Sequence, residues 1–257
     1  MKAFPVEDSF PKHCLNRAML KALFLDLDET LCDTTGANLK ARDFLAQRSS
    51  SVFKSSFNHT DFANDYLSGI YKVFCEEMKK RFMPITNEEN FRTDLLRYLM
   101  DKYSISDEIS DNTLHSLREE FDEYRMKCFD FFPGVKDLIC ELKNKYTLIV
   151  ITNGPIYSQR PKVKKVEIRS LVDHVIIGGE EPEEKPYESI FKKACSLADC
   201  KPQEAIHIGD SLSSDIAGAK NAGIKSVWIS PELKSDPLPD HTISNFVEIP
   251  AVLQQYS

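Results

Sequence analysis

Short apolar runs, each ending in polar residues or glycine, recur at intervals along this sequence. They fall within 22–25, 146–154, 175–178, 205–211 and 226–230. A wholly apolar run such as 22–25 is typical of a strand that is buried on both faces, as in a parallel sheet. Segments with helical character at 135–145, 187–198 and 215–221 alternate with the later runs. This alternation predicts an α/β fold in which helices cover both faces of a parallel sheet.

The interval between the first two runs has a different pattern, with no strand-like segment. Apolar and aromatic residues recur there at three- and four-residue spacing, over 62–82, 91–99 and 114–128. Such stripes are typical of amphipathic helices and form the core of a bundle far more often than they contact a ligand. The predicted divisions are an N-terminal extension at 1–20, an α/β core at 21–33 and 131–257, and an inserted all-helical unit at 34–130.

Two carboxylates, Asp26 and Asp28, follow the first apolar run with one residue between them. Ligands of open α/β sheets bind beyond the carboxyl ends of the strands, so both acids are predicted to face a site. Side chains alternate along a strand, which places Asp26 and Asp28 on one face and turns Leu27 inward. Like charges this close are tolerable when a cation lies between them or when one of them is protonated. Two surface acids in a solvated loop remain the alternative interpretation.

Polar residues of other kinds follow the later runs. Thr152 and Asn153 end the second run beside a glycine, and their hydroxyl, amide and backbone groups suit phosphate oxygens. Asp210 follows the fourth run, and Asp215 stands five residues further on, at a predicted helix start. Lys185 lies between these segments in a glutamate-rich stretch. The pattern predicts that acids and phosphate-binding groups gather at one edge of the sheet.

Each of these residues also has a purely structural interpretation. Lys185 is close to several glutamates and could be a solvated surface lysine. Asp210 could begin a turn, and Asp215 could stabilise a helix N-terminus through the helix dipole. His207 stands between two isoleucines of the fourth run, and we interpret it as a packed histidine rather than a catalytic group.

The order of the motifs resembles that of the haloacid dehalogenase-like hydrolase superfamily: Asp-x-Asp, Thr-Asn-Gly, Lys-Pro, and Gly-Asp-Ser with a trailing aspartate. The resemblance covers nearly the whole chain after the first twenty or so residues. It implies a doubly wound Rossmann-like core with a helical cap inserted after the first motif. It also implies a phosphatase in which Asp26 attacks phosphorus, while Asp28 acts first as general acid and then as general base.

The same resemblance implies a Mg²⁺ cofactor, whose preferred ligands are hard oxygen atoms. Mg²⁺ would be held by Asp26, Asp210 and the backbone carbonyl of Asp28, and Asp215 would orient Lys185 or metal-bound waters. The residues implied in substrate binding are Leu27, Thr152, Asn153 and Lys185.

Within the superfamily, the segments 33–37, 175–191 and 209–229 are similar to those of phosphatases that act on N-acylneuraminate 9-phosphate and release a free sialic acid. The sequence departs from that group at Pro155, where an acid is expected. A broad-specificity sugar phosphate or nucleotide phosphatase remains the alternative. A dehalogenase is disfavoured because it has no need of Asp28 to protonate a leaving group, and a non-catalytic binding module is disfavoured because all four motifs are intact.

Composition limits the expected partners. The chain has 257 residues and a formal net charge of −7, which disfavours nucleic acid binding. Its seven cysteines are scattered without metal-ligand spacing, as expected for free thiols in a reducing compartment. The sequence has neither the apolar stretch of a signal peptide nor a run approaching the ~18 apolar residues of a membrane span. We therefore expect a cytoplasmic enzyme for small phosphate esters, with no nucleic acid or membrane partner.

Overall fold

A single sheet of parallel strands organises this protein in a computed structural model that describes residues 19–106, 109–230 and 236–256. The strands are β1 (Ala22–Leu25), β2 (Thr147–Thr152), β3 (His174–Ile177), β4 (Ala205–Gly209), β5 (Lys225–Ile229) and β6 (His241–Ile243). Their order across the sheet is β3-β2-β1-β4-β5-β6. Helices flank this sheet, so the predicted Rossmann-like α/β fold is confirmed. The sequence does not predict β6, because its three residues form no apolar run.

The central strand β1 shows why the sequence forms this sheet. All four of its residues are fully buried. Leu23 and Leu25 pack into the hydrophobic cluster on one face of the sheet, and Ala22 and Phe24 pack into the cluster on the other face. Because side chains alternate along a strand, only an unbroken apolar run can supply both clusters. The predicted extension at 1–20 lies outside the described residues as far as residue 18, and Leu20 already belongs to the first cluster.

Helices fill the intervals between the strands. They are α1 (Thr34–Val52), α2 (His59–Ile70), α3 (Glu76–Phe82), α4 (Glu88–Lys102), α5 (Asp111–Cys128), α6 (Val135–Lys143), α7 (Ile156–Lys165), α8 (Ile168–Leu171), α9 (Glu188–Leu197), α10 (Ala217–Asn221) and α11 (Ile249–Leu253). The first five, α1 to α5, are called the helical bundle below. Their apolar residues form a third hydrophobic cluster, in which the rings of Tyr66 and Phe121 meet edge to face with centroids 5.1 Å apart. We interpret this bundle as the predicted cap.

The helical spacing over 62–82 does not correspond to one helix. It is divided between α2 and α3, because the backbone of Lys72 adopts a left-handed conformation with φ of 60°. The N–H of Val73 donates to the carbonyl of Ser68, and the N–H of Lys72 donates to that of Gly69. These two hydrogen bonds satisfy carbonyl groups at the end of α2 in the manner of a Schellman motif, so the helix ends there.

The helices of the described segments are also informative about membranes. Among them, none combines the length and the apolar character that crossing a membrane requires.

Candidate active site

The polar residues that follow β1 and β4 meet at the point where the strand order reverses. β1 pairs with β2 on one side and with β4 on the other, and the N–H of Asp26 donates to the carbonyl of Ile208 at 2.9 Å. Carboxylate oxygens of Asp26, Asp210 and Asp215 lie within 4.8 Å of one another. The predicted gathering of acids at the carboxyl ends of the strands is thus present in the structure, at the position where open α/β sheets bind ligands.

Lys185 lies at the centre of this acidic cluster. Its Nζ is 2.5 Å from Asp26 Oδ1 and 2.6 Å from Asp215 Oδ1, and the residue is only 3% exposed. Burial by itself would lower the pKa of Lys185, but the carboxylates of Asp215 and Asp26 raise it above the usual lysine value. Lys185 is therefore a buried permanent cation, and the interpretation as a solvated surface lysine is wrong.

Asn153 fixes the segment that carries Lys185. Its Nδ2 donates to the carbonyl of Lys185 at 2.7 Å, and its Oδ1 accepts from the N–H of Lys185 at 2.9 Å. Glu184 accepts from the N–H of Gly154 at 2.9 Å. The amide predicted to contact substrate is thus engaged in this structure in holding the lysine in place.

Asp215 receives hydrogen bonds from three directions. Its oxygens accept from Lys185, from the backbone N–H of Ser211 at 3.0 Å, and from Nε2 of His207, which lies 2.8 Å away. Burial would raise the pKa of Asp215, but Lys185 and His207 outweigh it and hold the pKa below the usual value. Asp215 is almost fully buried in a π-helical turn before α10, so it does more than stabilise a helix N-terminus. Gly209 makes room for it, because a Cβ there would lie 2.3 Å from Asp215 Cγ.

His207 is a packed core histidine, as predicted, and it also forms a hydrogen bond with Asp215 that the sequence did not indicate. It is fully buried and packs edge to face against Phe191, with ring centroids 5.1 Å apart, as expected of a core histidine. Burial lowers its pKa, although Asp215 opposes that shift. Its hydrogen bond to Asp215 links the core to the acidic cluster.

Two acids of the cluster carry pKa values above the carboxylate range. Burial, followed by the charges of Asp215 and Asp28, raises the pKa of Asp26 well above its ordinary value, although Lys185 opposes that shift. Burial and Asp215 raise the pKa of Asp210 to about 7. One lysine does not neutralise this group of carboxylates. A divalent cation among their oxygens would supply the missing positive charge, so the residues present fit a Mg²⁺ site.

Asp28 has its own set of partners, separate from the Lys185 cluster. Lys162 Nζ lies 2.8 Å from both of its oxygens, Gln159 Nε2 donates to Oδ2 at 3.0 Å, and the hydroxyl of Thr34 donates to Oδ1. Burial would raise the pKa of Asp28, but Lys162 and the other two donors hold it below the usual value. The structure therefore presents Asp28 as a partly buried, ionised carboxylate.

Sequence reasoning missed Lys162, although a signal was available. Gln159, Lys162, Val163 and Val166 are the buried positions along α7 and its C-terminal end, at a spacing of three and four residues. A lysine at a position that continues an apolar helical stripe is expected to be buried and paired.

Two predicted substrate contacts are more indirect than expected. The side chain of Leu27 is fully buried in the core, and its carbonyl accepts from the N–H groups of Leu31 and Cys32, so only its N–H is left to meet a phosphate. Thr152 is 1% exposed and its hydroxyl donates to Gln159 Oε1 at 3.3 Å. Thr152 is thus connected through Gln159 to Asp28.

A cavity of about 440 Å³ begins at Asp28 and extends between α7 and the helical bundle. Its wall includes side chains from α1, α2, α4, α5 and α7, and Lys162 and Gln159 belong to it together with Asp28. Tyr157 joins α7 to the bundle nearby, because its hydroxyl donates to Asp122 at 3.1 Å and accepts from Arg118 at 3.0 Å.

Comparison with known proteins shows what this chain resembles. The family model described as haloacid dehalogenase-like hydrolase matches residues 20–223. N-acylneuraminate-9-phosphatase of Homo sapiens is 30% identical over 250 residues, which cover 91% of this chain and 94% of that protein. Glyceraldehyde 3-phosphate phosphatase of Pyrococcus abyssi is 30% identical over 217 residues, which cover 82% and 81%. A Bacillus subtilis HAD-hydrolase, whose crystal structure is described as bound to magnesium, matches with a TM-score of 0.66 and 19% identity over 91% of this chain and 99% of that one.

Proposed function

This chain belongs to the haloacid dehalogenase-like hydrolases, and on that premise we propose that it is a Mg²⁺-dependent phosphomonoesterase that forms an aspartyl-phosphate on Asp26. The observation that carries the proposal is the contact of 2.5 Å between Lys185 Nζ and Asp26 Oδ1 inside a cluster of further acids. A carboxylate in a pair with a buried ammonium group is fixed in position, and the same cation can neutralise a phosphate that approaches it.

In the first step, an oxygen of Asp26 bonds to phosphorus while the bond between phosphorus and the leaving oxygen breaks. Asp28 gives its proton to that leaving oxygen, so an alcohol is released. In the second step, Asp28 takes a proton from water, and the water oxygen attacks phosphorus. The bond between phosphorus and Asp26 then breaks, and inorganic phosphate leaves.

The environment of Asp28 suits the second step in particular. Lys162 and Gln159 stabilise its ionised form, which is the form that can accept a proton. In the first step the same residue needs a proton, which the entering phosphate monoanion can deliver. Asp28 would then return to the paired state with Lys162 after the leaving group is protonated.

Mg²⁺ would be held by Asp26, Asp210 and the backbone carbonyl of Asp28, and Asp215 would fix Lys185 beside it. The carboxylates of Asp26 and Asp210 have raised pKa values, which supports a divalent cation as their counter-charge. When bound, the ion would reduce the repulsion between the carboxylate and the phosphate dianion.

The substrate that the relatives favour is N-acylneuraminate 9-phosphate, since the human phosphatase of that name matches over nearly its whole length. A phosphatase for smaller sugar phosphates is the second candidate. The Pyrococcus abyssi enzyme named for glyceraldehyde 3-phosphate has the same 30% sequence identity to this chain as the human phosphatase, although over fewer residues. A dehalogenase remains disfavoured, because a halide leaving group needs no proton from Asp28.

The test is a phosphate-release screen of the purified chain with Mg²⁺. Substrates would be N-acetylneuraminate 9-phosphate, glyceraldehyde 3-phosphate, glucose 6-phosphate, AMP and p-nitrophenyl phosphate, with 2-chloropropionate added to detect halide release. We expect Mg²⁺-dependent phosphate release and the highest kcat/KM with the sialic acid ester. Equal or faster turnover of AMP would contradict the substrate assignment, and release of chloride without release of phosphate would contradict the phosphatase. Asp26→Asn is the inactive control.

A further inference from the structure

One buried arginine of the cavity beside Asp28 has no carboxylate partner. Arg125 of α5 is 6% exposed, and within the described residues no carboxylate oxygen lies within 4.0 Å of its guanidinium. Its Nε donates to Asn38 Oδ1 at 2.6 Å, and Asn38 Nδ2 donates in turn to the hydroxyl of Tyr71. This pair of hydrogen bonds fixes the guanidinium through Nε. Among the described residues, its two terminal nitrogens donate to no acceptor, and Arg125 belongs to the cavity wall.

The other cations of the cavity wall are already neutralised. Lys162 pairs with Asp28 at 2.8 Å, and Lys72 pairs with Glu88 at 2.8 Å. Arg92, which is also buried, forms an ion pair with Asp122. The carboxylates of Asp28, Glu88 and Asp122 are thus each paired with a cation other than Arg125.

The position of Arg125 is costly for the folded protein. Burial, together with the like charge of Arg92, lowers its pKa below the usual arginine value. A buried charge without a counter-ion is strongly disfavoured, so proteins normally pair it. An anion that enters the cavity would supply the missing partner.

The location of the cavity indicates which part of a substrate would carry the anionic group that pairs with Arg125. Asp28 belongs to the cavity wall, and in the proposed mechanism Asp28 protonates the leaving oxygen. The group attached to that oxygen would therefore occupy the cavity. Its volume of about 440 Å³ lies within the range of small-molecule sites, and hydroxyl and amide side chains such as Thr35, Ser158 and Asn38 suit a hydroxylated ligand.

We propose that Arg125 determines substrate specificity by binding a carboxylate on the leaving group, so that the preferred substrates are phosphate esters of hydroxy acids or acidic sugars. The two terminal nitrogens of a guanidinium match the two oxygens of a carboxylate, and such charge-assisted pairs are stronger than neutral hydrogen bonds. This inference rests on the proposed phosphatase function and adds to it the chemical class of the leaving group.

Calorimetric titration tests the inference without any turnover. The ligands are free N-acetylneuraminate and its methyl ester, which differ only in the charge of the carboxyl group, and the protein is the full chain with Mg²⁺. We expect the wild type to bind the acid about 10- to 100-fold more tightly than the ester. In Arg125→Met this ratio should fall to near one, while Arg125→Lys keeps the charge and should retain part of it. Lys72→Met, which alters a paired cation of the same cavity, should keep the wild-type ratio.

A second pair of ligands separates the inference from the sialic acid assignment. 6-Phosphogluconate and glucitol 6-phosphate share a six-carbon chain and differ in a carboxylate at the far end. We expect a higher kcat/KM for the acid in the wild type and no preference in Arg125→Met, with folding checked by thermal unfolding. Equal binding of acid and ester by the wild type, or an unchanged ratio in Arg125→Met, would overturn the inference. Absence of any p-nitrophenyl phosphate hydrolysis would instead contradict the proposed function, and the calorimetric comparison would still decide the role of Arg125.

Discussion

Lys162 Nζ lies 2.8 Å from both carboxylate oxygens of Asp28, in a pair that is largely buried between α7 and the segment after β1. This pair sets the proton affinity of the residue that we propose as acid and base. In Lys162→Met, burial would no longer be opposed by the ammonium group, so the pKa of Asp28 should rise. The base form would then appear only at higher pH.

The measurement for this variant is the pH dependence of kcat. The acidic limb of the profile should move to higher pH by the same amount in Lys162→Met. Lys164→Met is the matched control, since Lys164 is exposed on the same helix, and its profile should follow the wild type. An acidic limb that stays in place in Lys162→Met would show that Asp28 is not the titrating base.

Separate substitution of Asp26 and Asp28 by asparagine should distinguish the nucleophile from the general acid. Asp26→Asn replaces the proposed nucleophilic carboxylate with a neutral amide, so no phosphoenzyme should form with any substrate. Asp28→Asn keeps the nucleophile but cannot donate a proton, so its defect should depend on the leaving group. General acid catalysis contributes about 10²- to 10⁴-fold, and phosphorylation by sugar phosphates should fall by that factor.

p-Nitrophenyl phosphate provides the comparison for this experiment, because nitrophenolate leaves without a proton. Phosphorylation of Asp28→Asn by this ester should fall much less, while dephosphorylation should be slow with both substrates because the base is missing. Single-turnover kinetics resolve the two steps. Equal losses in the phosphorylation step for both esters would mean that Asp28 is not the acid.

Activity should require Mg²⁺, and Ca²⁺ should inhibit. Ca²⁺ prefers more and longer oxygen contacts than Mg²⁺, and it could engage both oxygens of Asp26, one of which must attack phosphorus. Phosphate release would be measured after EDTA treatment, after return of Mg²⁺, and with Ca²⁺ in competition. Full activity in excess EDTA would contradict the metal requirement.

The raised pKa of Asp210 predicts how proton and metal binding are linked. Its ordinary value is 3.8 and its value in the folded protein is about 7, so the folded chain binds this proton more tightly than the unfolded chain does. The stability from this group is present below about pH 4 and is lost as the pH rises through about 7. Mg²⁺ competes with the same proton, so the increase in Tm on adding Mg²⁺ should grow between about pH 5 and pH 8.

Thermal unfolding with and without Mg²⁺ across this pH range is the measurement. Asp210→Asn should abolish most of the pH-dependent part of the Mg²⁺ effect. Asp199→Asn changes an exposed acid outside the cluster and should behave as the wild type. A Mg²⁺ effect on Tm that is independent of pH in the wild type would contradict a role for Asp210 in metal binding.

The sequence predicts the sheet and its acidic edge well because both depend on local patterns. A run such as 22–25 is typical of a buried strand, and the residues that follow parallel strands meet at one edge of the sheet. The gathering of Asp26, Asp210 and Asp215 around Lys185 follows from this geometry, once the order of the motifs indicates that Lys185 belongs with them.

The partners of Asp28 and the charge of the cavity are less predictable, because they depend on packing between distant helices. Lys162 follows Pro161 directly, and a proline inside a segment argues against a helix there, so α7 is not predicted. Arg125 stands four residues after the buried Phe121 on α5, but in a sequence rich in charged residues it resembles the solvent-exposed face. Its burial arises from the packing of α5 against α1, where Asn38 accepts its hydrogen bond.

Helix α7 carries Tyr157 at its start and Lys162 about 1.4 turns later. Tyr157 contacts Arg118 and Asp122 of the bundle, whereas Lys162 contacts Asp28 of the sheet edge. Because a helix this short is nearly rigid, displacement of the bundle by an incoming ligand would be transmitted along α7 to Asp28, which we propose as the acid and base. Occupancy of the cavity and proton transfer would then be coupled through one helix, and a substrate too small to contact the bundle would be processed without that coupling.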